Sequence, residues 1–375
     1  MTTEQVRLAE YTTLRLGGPA ARFVAAASED ELIAAVRKAD ADAEPVLVLG
    51  GGSNLVVADE GFPGVAVLAG VRGAEFAAAG DVAEVTVAAG HDWDEFVQEC
   101  LAAGLSGVEC LSGIPGRAGA TPIQNVNAYG QDVADTIASV RVYDRLSDQV
   151  VVMAAADCGF GYRTSVFKRQ AATAGRASAR HNGPASATGR FVILAVTFRL
   201  PASPLSAPVR YGELSRVLGV ADGGRVPLAA ARAAVLELRR GKGMVLAEAD
   251  PDTRSAGSFF TNPVVSAAQY GELAARIAGG EAGGGAGIPH WPTPDGQVKL
   301  SAAWLIEHAG FSKGWRLPDD PDGARISTKH ALALTNPGQA TTASVIRLAK
   351  EIRAGVLAVF GVTLTNEPVL VGVEL

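Results

Sequence analysis

The 375-residue sequence lacks several features that mark common classes of protein. No basic stripe accompanies its net charge of −6, so we do not expect nucleic acid as a partner. Apolar runs such as FVILAVTF are much shorter than a membrane span, and the polar start MTTEQVRLAEYTT has no secretory signal pattern. These absences predict a cytoplasmic protein that does not insert into membranes.

Cysteine and histidine are also scarce. Cys100, Cys110 and Cys158 are odd in number and do not have the spacing of a metal site, so we expect reduced thiols. The five histidines are scattered and form no HExxH motif. We therefore expect no metal site.

What the sequence does contain is enough apolar residues for a large core. Hydrophobic residues make up 48%, and the length suits two or three domains. Helical and strand patterns follow one another without strict alternation, which indicates an α+β fold rather than a doubly wound sheet. Ser28 and Glu31 predict a capping box before one helix, and a last long helix is expected from about Thr342 to Phe360, closed by Gly361.

Two glycine-rich segments predict ligand-binding loops. VLGGGSNL follows a predicted strand, Val46 to Leu49, but Leu55 replaces the third glycine of the dinucleotide fingerprint, and no GK[ST] follows. Its turn can present backbone N–H groups to an anion, and a simple hairpin turn is an equal alternative. The segment from Ser112 to Gly130, SGIPGRAGATPIQNVNAYG, has a density of rigid turns that favours ligand binding.

The stretch AGSFFTNP, from Ala256 to Pro263, has neither strand alternation nor helical spacing. Its glycine, serine, asparagine and proline are turn formers, so a turn packed on a small hydrophobic knob is the simplest interpretation. The alternative is that Ser258 holds its hydroxyl in a partly dry pocket for chemistry.

Together these segments resemble one family. VLGGGSNLVVADEGFPGVAV and SGIPGRAGATPIQNVNAYGQDV are similar to the two FAD-binding segments of the bacterial UDP-N-acetylenolpyruvoylglucosamine reductases. Further similar motifs follow in the family's order over almost the whole chain: TTLRLGGPA, FGYRTSVFK, VRYGELSR, GKGMV, GSFFTNP, VKLSAAWLIEHAG, STKHALALTN and NEPVLVG. The motif VRYGELSR indicates the longer, actinobacterial-like form of the family.

The resemblance implies an α+β architecture with a vanillyl-alcohol-oxidase-like FAD-binding fold in two subdomains and a C-terminal α+β substrate-binding domain. It places the first subdomain at residues 1–72, joined by a terminal strand in 362–375, the second at 73–240, and the substrate-binding domain at 241–361. The implied activity is NADPH-dependent reduction of UDP-N-acetylglucosamine enolpyruvate to UDP-N-acetylmuramate through noncovalent FAD, in peptidoglycan precursor synthesis. We expect a monomer whose partners are this sugar nucleotide and NADPH.

The resemblance also implies roles for individual residues. Ser258 would donate a proton to the carbanion left by hydride transfer, Arg163 would pair with the substrate carboxylate, and Glu367 would lie beside that carboxylate, protonated or sharing a hydrogen bond. The implied cofactor-binding residues are Gly50, Gly51, Gly52, Ser53, Asn54, Leu55, Gly113, Ile114, Pro115, Gly116, Gly119, Ala120, Gln124 and Asn125. The implied substrate-binding residues are Tyr162, Tyr211, Lys242, Asn262, Lys299 and His330.

The sequence departs from the family pattern in a few places. Asn127 replaces the usual glycine, and asparagine is the least costly replacement if this position needs a positive φ. The stretches 169–189 and 279–287 are small, polar or glycine-rich, which predicts insertions or mobile loops.

Two other functions remain open at this level. An oxidase of the same fold often tethers FAD through histidine, and neither FAD-binding segment contains a histidine. A non-catalytic flavin or nucleotide-binding module would have little use for Ser258, Arg163 and Glu367 together.

Overall fold

The computed structural model describes residues 2–170, 187–280 and 287–375, so most of the two predicted loop stretches lies outside the described residues. The strands are β1 (Thr2–Glu4), β2 (Ala20–Ala26), β3 (Val46–Leu49), β4 (Leu55–Val57), β5 (Phe62–Ala69), β6 (Ala74–Ala79), β7 (Val82–Ala88), β8 (Asn127–Ala128), β9 (Gln131–Asp132), β10 (Ile137–Asp144), β11 (Gln149–Ala154), β12 (Phe191–Pro201), β13 (Ser255–Ser258), β14 (Val264–Val265), β15 (His290–Pro292), β16 (Val298–Leu300), β17 (Arg325–Ile326), β18 (Ala333–Thr335) and β19 (Val369–Val371). The α-helices with both ends inside the described ranges are α1 (Glu29–Ala41), α2 (Trp93–Ala102), α3 (Thr121–Gln124), α4 (Gly212–Leu218), α5 (Leu228–Gly241), α6 (Ala267–Ala278), α7 (Ala302–His308) and α8 (Thr342–Phe360).

Local sequence sets the helix ends. The Ser28 hydroxyl accepts a hydrogen bond from Glu31 N at 3.1 Å, and the Glu31 carboxylate accepts one from Ala27 N at 2.8 Å. The predicted cap of α1 is therefore present, with the return bond one residue earlier than in a standard capping box. Helix α8 follows a capping Thr341 and ends at Gly361, whose φ is +70°. Its predicted bounds are confirmed.

By its internal contacts the chain forms two compact units, each built from separate stretches. Unit 1 consists of Met1–Arg7, Pro19–Gly52 and Phe62–Val245. Unit 2 consists of Leu8–Gly18, Ser53–Gly61 and Leu246–Leu375. The three-domain division implied by the resemblance stays a prediction.

Unit 1 contains a mixed sheet and an antiparallel sheet. The mixed sheet has the order β1-β2-β5-β3, with β2 and β3 parallel to β5. Leu32 and Val36 of α1 pack against its Val65 and Val67. The second sheet has the order β11-β10-β12-β7-β6 and is antiparallel throughout, and α2 buries Trp93 in its core. This mixture of strands and helices is the α+β class that the sequence predicts.

Unit 2 joins early and late parts of the chain. Strand β4 pairs in parallel with β19, with Leu55 opposite Val369. The Asp59 carboxylate accepts hydrogen bonds from Thr342 N and Ala343 N, at 2.8 and 2.9 Å, at the start of α8. The segment Ser53–Gly61 is therefore built into the same unit as the C-terminal residues.

The three cysteines are free and buried, in agreement with the predicted reduced thiols. Burial raises their pKa, that of Cys110 to about 12 and that of Cys158 to about 11. Of the described helices, none combines the length and apolar character that a bilayer span requires.

Candidate active site

The two predicted FAD-binding segments meet at a close backbone crossing in unit 1. A Cβ at Gly51 would lie 2.8 Å from Gly116 Cα and 3.2 Å from the Gly116 carbonyl carbon, closer than packed carbon atoms approach. Gly52 follows with a φ of +60°. The strands on either side of this turn, β3 and β4, pair with β5 and β19 rather than with each other, so the hairpin alternative is wrong.

An ion pair fixes the start of the second segment. Gly113, with a φ of +71°, donates its N–H to Asp94 Oδ1 at 2.6 Å. Arg232 donates two hydrogen bonds, of 2.7 and 2.8 Å, to the same carboxylate. Burial alone would raise the pKa of Asp94, but the bonds from Arg232 and Gly113 and the charge of Arg232 outweigh burial, so this pKa lies below its usual range.

A second guanidinium lies beside Gly113. Arg239 Nε would be 3.6 Å from a Cβ at Gly113, and Arg239 Nη2 donates to the Met244 carbonyl at 2.8 Å. Within the described residues, the buried Nε of Arg239 has no hydrogen-bond partner. Burial lowers the pKa of Arg239 to about 10, so the group stays charged at neutral pH. A buried cation at this loop suits a ligand with anionic or carbonyl oxygens.

The other predicted cofactor-binding residues of unit 1 lie in the same two loops. Gly119 is buried so tightly that a Cβ would lie 2.5 Å from its nearest neighbour. Ile114 packs against the core of the antiparallel sheet. Gly50 and Pro115 are half-buried, and Ala120 is exposed.

Gln124 and Asn125 use their side chains to hold neighbouring protein segments. Gln124 Oε1 accepts a hydrogen bond from Lys168 Nζ at 2.7 Å. Asn125 Nδ2 donates to the Gly161 carbonyl at 3.1 Å. The end of the second FAD-binding segment is thus tied to the loop that carries Arg163.

The positive φ angles of this segment lie on either side of Asn127. Asn125 has a φ of +46° and Tyr129 one of +48°, whereas Asn127 is extended in strand β8. The substitution at Asn127 therefore does not occupy a left-handed position.

Arg163 lies in a tight turn with a left-handed backbone. Gly161 and Thr164 exchange backbone hydrogen bonds of 3.0 and 3.2 Å around it, and its φ is +51°. The guanidinium carbon lies 5.9 Å from the centre of the Tyr162 ring. A non-glycine residue in this conformation is uncommon and often marks a functional turn.

Tyr211 and Lys242, two predicted substrate-binding residues, come together around Tyr129. The Tyr129 and Tyr211 rings pack edge to face with their centres 5.4 Å apart. Lys242 Nζ lies 5.6 Å from the centre of the Tyr129 ring and forms a 2.5 Å ion pair with Glu213 Oε2. Burial raises the pKa of Tyr129 to about 12, so its phenol stays neutral. We call these four residues the tyrosine–lysine cluster.

In unit 2, Ser258 ends a strand. Ser255 and Ser258 of β13 pair with Thr335 and Ala333 of β18, with a bulge between them where Gly257 has a φ of +73°. The predicted turn on a hydrophobic knob therefore fits only Phe259–Pro263, because Ala256, Gly257 and Ser258 belong to β13, which pairs with a distant strand despite their turn-forming composition.

The backbone after Ser258 is held from two sides. Phe259 N donates to the Leu332 carbonyl at 2.7 Å, and the Phe259 carbonyl accepts from Glu367 N at 2.8 Å. The Phe259 and Phe260 rings are only 2% and 1% exposed and pack edge to face in the core of unit 2. Two predicted catalytic residues, Ser258 and Glu367, are therefore brought to neighbouring backbone positions.

The other predicted substrate-binding residues of unit 2 lie on several elements. Asn262 Oδ1 accepts a hydrogen bond from Ala302 N at 2.9 Å, at the first turn of α7. Lys299 of β16 places its Nζ 5.9 Å from the Trp291 ring centre. His330 lies in the turn between β17 and β18.

The predicted cofactor-binding residues Ser53, Asn54 and Leu55 also belong to unit 2 and are half-buried. The Asn54 carbonyl accepts a hydrogen bond from Val369 N at 2.9 Å. This bond leads into the pairing of β4 with β19.

Sequence reasoning missed four polar residues near these loops, namely Asp94, Tyr129, Glu213 and Arg239. Tyr129 lies in the same motif as the predicted residues Gln124 and Asn125, and Glu213 lies in the same motif as Tyr211. Both could have been found there. No sequence pattern distinguishes Asp94, because acidic residues are common in the first turn of a helix such as α2. Over the described ranges, no group of three or more His, Cys, Asp and Glu side chains could hold a metal ion.

Comparison with known proteins gives two family matches. A model described as FAD binding domain matches residues 20–152, and one described as UDP-N-acetylenolpyruvoylglucosamine reductase, C-terminal domain, matches residues 250–371. The FAD-binding match and the mixed architecture confirm the predicted flavin-binding α+β fold.

Similar proteins extend over the whole chain. The UDP-N-acetylenolpyruvoylglucosamine reductase of Thermobifida fusca is 56% identical and covers 100% of both chains. That of Salinispora arenicola is 54% identical over 99% of this chain and 96% of its own. The crystal structure of the Thermus caldophilus enzyme of the same name superposes with a TM-score of 0.62 at 26% identity, covering 99% of this chain and 100% of its own.

Proposed function

The chain belongs to the UDP-N-acetylenolpyruvoylglucosamine reductase family, and we propose that it reduces UDP-N-acetylenolpyruvoylglucosamine to UDP-N-acetylmuramate in peptidoglycan synthesis. FAD is its cofactor and NADPH its reductant. The observation that carries this proposal is the full-length similarity to enzymes of that name. We further propose that the protein works as a cytoplasmic monomer.

The residues of unit 1 fit FAD. The crossing of Gly51 over Gly116 leaves no room for a side chain, so the two loops pack backbone against backbone. The buried Arg239 guanidinium beside Gly113 provides positive charge at the same loop. When bound, FAD supplies hydride transfer from NADPH to the terminal carbon of the substrate double bond.

We propose that Ser258 donates the proton. Hydride addition at the terminal carbon leaves negative charge on the neighbouring carbon, next to the substrate carboxylate. Such a carbanion is basic enough to take a proton from a hydroxyl, although serine is a poor acid toward ordinary leaving groups. The bulge of β13 and the buried Phe259 and Phe260 rings support this role, because they fix the backbone that carries the hydroxyl.

Arg163 and Glu367 are the proposed partners of the substrate carboxylate. A guanidinium can pair with this group and offset the charge that spreads into it as the enolate forms. The left-handed turn that holds Arg163 restricts where its side chain can point. Glu367 would lie beside the same carboxylate, and its backbone N–H donates to the carbonyl of Phe259, the residue after Ser258.

The remaining predicted substrate-binding residues are proposed to hold the sugar nucleotide. Tyr211 and Lys242 suit its diphosphate, because one offers a hydroxyl donor and the other a cation. The rest of the substrate is proposed to contact Tyr162, Asn262, Lys299 and His330.

Half-reactions test the proposal. The purified protein should be yellow, NADPH should bleach it, and the enolpyruvyl sugar nucleotide should restore the colour without oxygen. Ser258→Ala should keep the reduction by NADPH but slow the second half-reaction by at least about a hundredfold, as expected for a lost proton donor. Ser258→Cys should retain part of the rate.

Thr261→Val is a matched control, because it removes a hydroxyl three residues further on. It should leave both half-reactions near wild type. Equal slowing of both halves in Ser258→Ala would contradict the proton-donor role. A yellow protein indifferent to the sugar nucleotide would instead favour another flavin enzyme of this fold.

A further inference from the structure

Within the tyrosine–lysine cluster, the ion pair with Glu213 neutralises the charge of Lys242. Lys242 Nζ lies 2.5 Å from Glu213 Oε2, and the two side chains are 33% and 32% exposed. Glu213 lies in the first turn of α4, and Lys242 is the C-terminal cap of α5. Each charge therefore also suits the helix end on which it lies.

The aromatic residues hold Lys242 independently of Glu213. The ammonium lies 5.6 Å from the Tyr129 ring centre, within the range of a cation–π contact. Tyr129 is in turn held by its edge-to-face contact with Tyr211. Lys242 therefore has a second contact that does not involve Glu213.

Glu213 is the member of the cluster that can leave. A partly exposed ion pair gains little free energy over its separated, hydrated groups. A diphosphate carries more charge than one carboxylate and repels it. When a phosphoryl oxygen reaches Lys242, the lowest-energy arrangement therefore has Glu213 turned toward water.

We propose that Glu213 competes with the nucleotide diphosphate for Lys242 and thereby sets the affinity for the sugar nucleotide. This inference rests on the proposed function, which assigns the diphosphate to Lys242. Glu213 makes no contact with the reacting carbon in this scheme. It is a specificity-determining residue that admits a ligand with enough negative charge to replace it.

Glu213→Gln tests the inference in the FAD-loaded protein, with UDP as the titrant in calorimetry. Loss of the competing charge should lower the Kd for UDP roughly threefold to tenfold at low ionic strength. The gain should shrink at high ionic strength, because salt screens both the ion pair and the repulsion. In turnover, KM for the sugar nucleotide should fall while kcat stays near wild type.

Two further variants separate competition from other effects. Glu237→Gln removes the same charge from an exposed site on α5 and should leave the Kd unchanged. In a Lys242→Met background, Glu213→Gln should lose most of its effect, because the cation for which it competes is gone.

The outcomes are distinct. Weaker binding in Glu213→Gln would mean that the carboxylate orients Lys242, and unchanged binding would mean that the ligand does not reach Lys242; either result overturns the inference. Failure of the proposed function would show differently, as a wild-type protein that neither binds UDP nor reduces the sugar nucleotide.

Discussion

A single methyl group added at Gly51 should weaken FAD binding. In Gly51→Ala, the new Cβ would lie 2.8 Å from Gly116 Cα and 3.2 Å from the Gly116 carbonyl carbon. Packed carbon atoms stay about 3.5–4.0 Å apart, so one backbone must move by roughly 0.5–1 Å. No side-chain rotation relieves this contact, since both partners are main-chain atoms. The φ of Gly51 is not in the left-handed region, so steric overlap is the expected effect.

The size of the effect follows from this overlap. Forcing an extra methyl group into a packed site typically costs about 1–3 kcal/mol. If the displaced loops regain their positions only when FAD binds, this cost appears in the binding free energy, and the Kd for FAD rises roughly fivefold to a hundredfold. Titration of the deflavinated protein with FAD, followed by flavin fluorescence, measures the change.

Gly271→Ala is the control, because a Cβ at this position on α6 would have no heavy atom within 4 Å. It should bind FAD nearly as tightly as the wild type. Wild-type affinity in Gly51→Ala, or an equal loss in both variants, would refute the crossing as the cause.

Two stability predictions concern carboxylates that are held by arginine side chains. Asp94→Asn should lower the free energy of unfolding by about 2 kcal/mol in urea, because Arg232 and Gly113 lose a charged acceptor; unchanged stability would contradict the anchoring role. Hydrogen bonds from Arg190 lower the pKa of Asp144 to about 2, below its unfolded value of about 3.9, so this carboxylate stabilises the fold above about pH 4 and loses its contribution as the pH falls toward 2. Asp144→Asn should therefore cost about 2 kcal/mol at neutral pH, and urea titrations should show the gap to wild type closing in acid; a gap independent of pH would count against the ion pair.

The sequence best predicts helix ends and turns, because these depend on residues that are close together in the chain. Ser28 and Gly361 bound their helices through bonds and φ angles within a few residues. The turns of the two predicted FAD-binding segments follow the same rule, because Gly52, Gly113 and Gly116 have the positive φ angles that glycine permits.

Long-range partners could not be read in this way. Strand β13 forms because it pairs with β18, and no residue pattern within AGSFFTNP indicates that pairing. The tyrosine–lysine cluster brings Tyr129, Tyr211 and Lys242 together from three distant stretches, so no single motif shows that these side chains meet. The Asp94 anchor of Gly113 is hidden for the same reason.

The parallel pairing of β4 with β19 bears on how the protein is made. During translation, Leu55–Val57 leaves the ribosome long before Val369–Val371 is synthesised. Val56 and Val57 are fully buried in the finished fold, so the nascent chain must carry them without their final neighbours until synthesis is nearly complete. A chain truncated shortly before residue 369 would therefore leave β4 unpaired and expose apolar surface in unit 2. Chaperones and proteases recognise such surface.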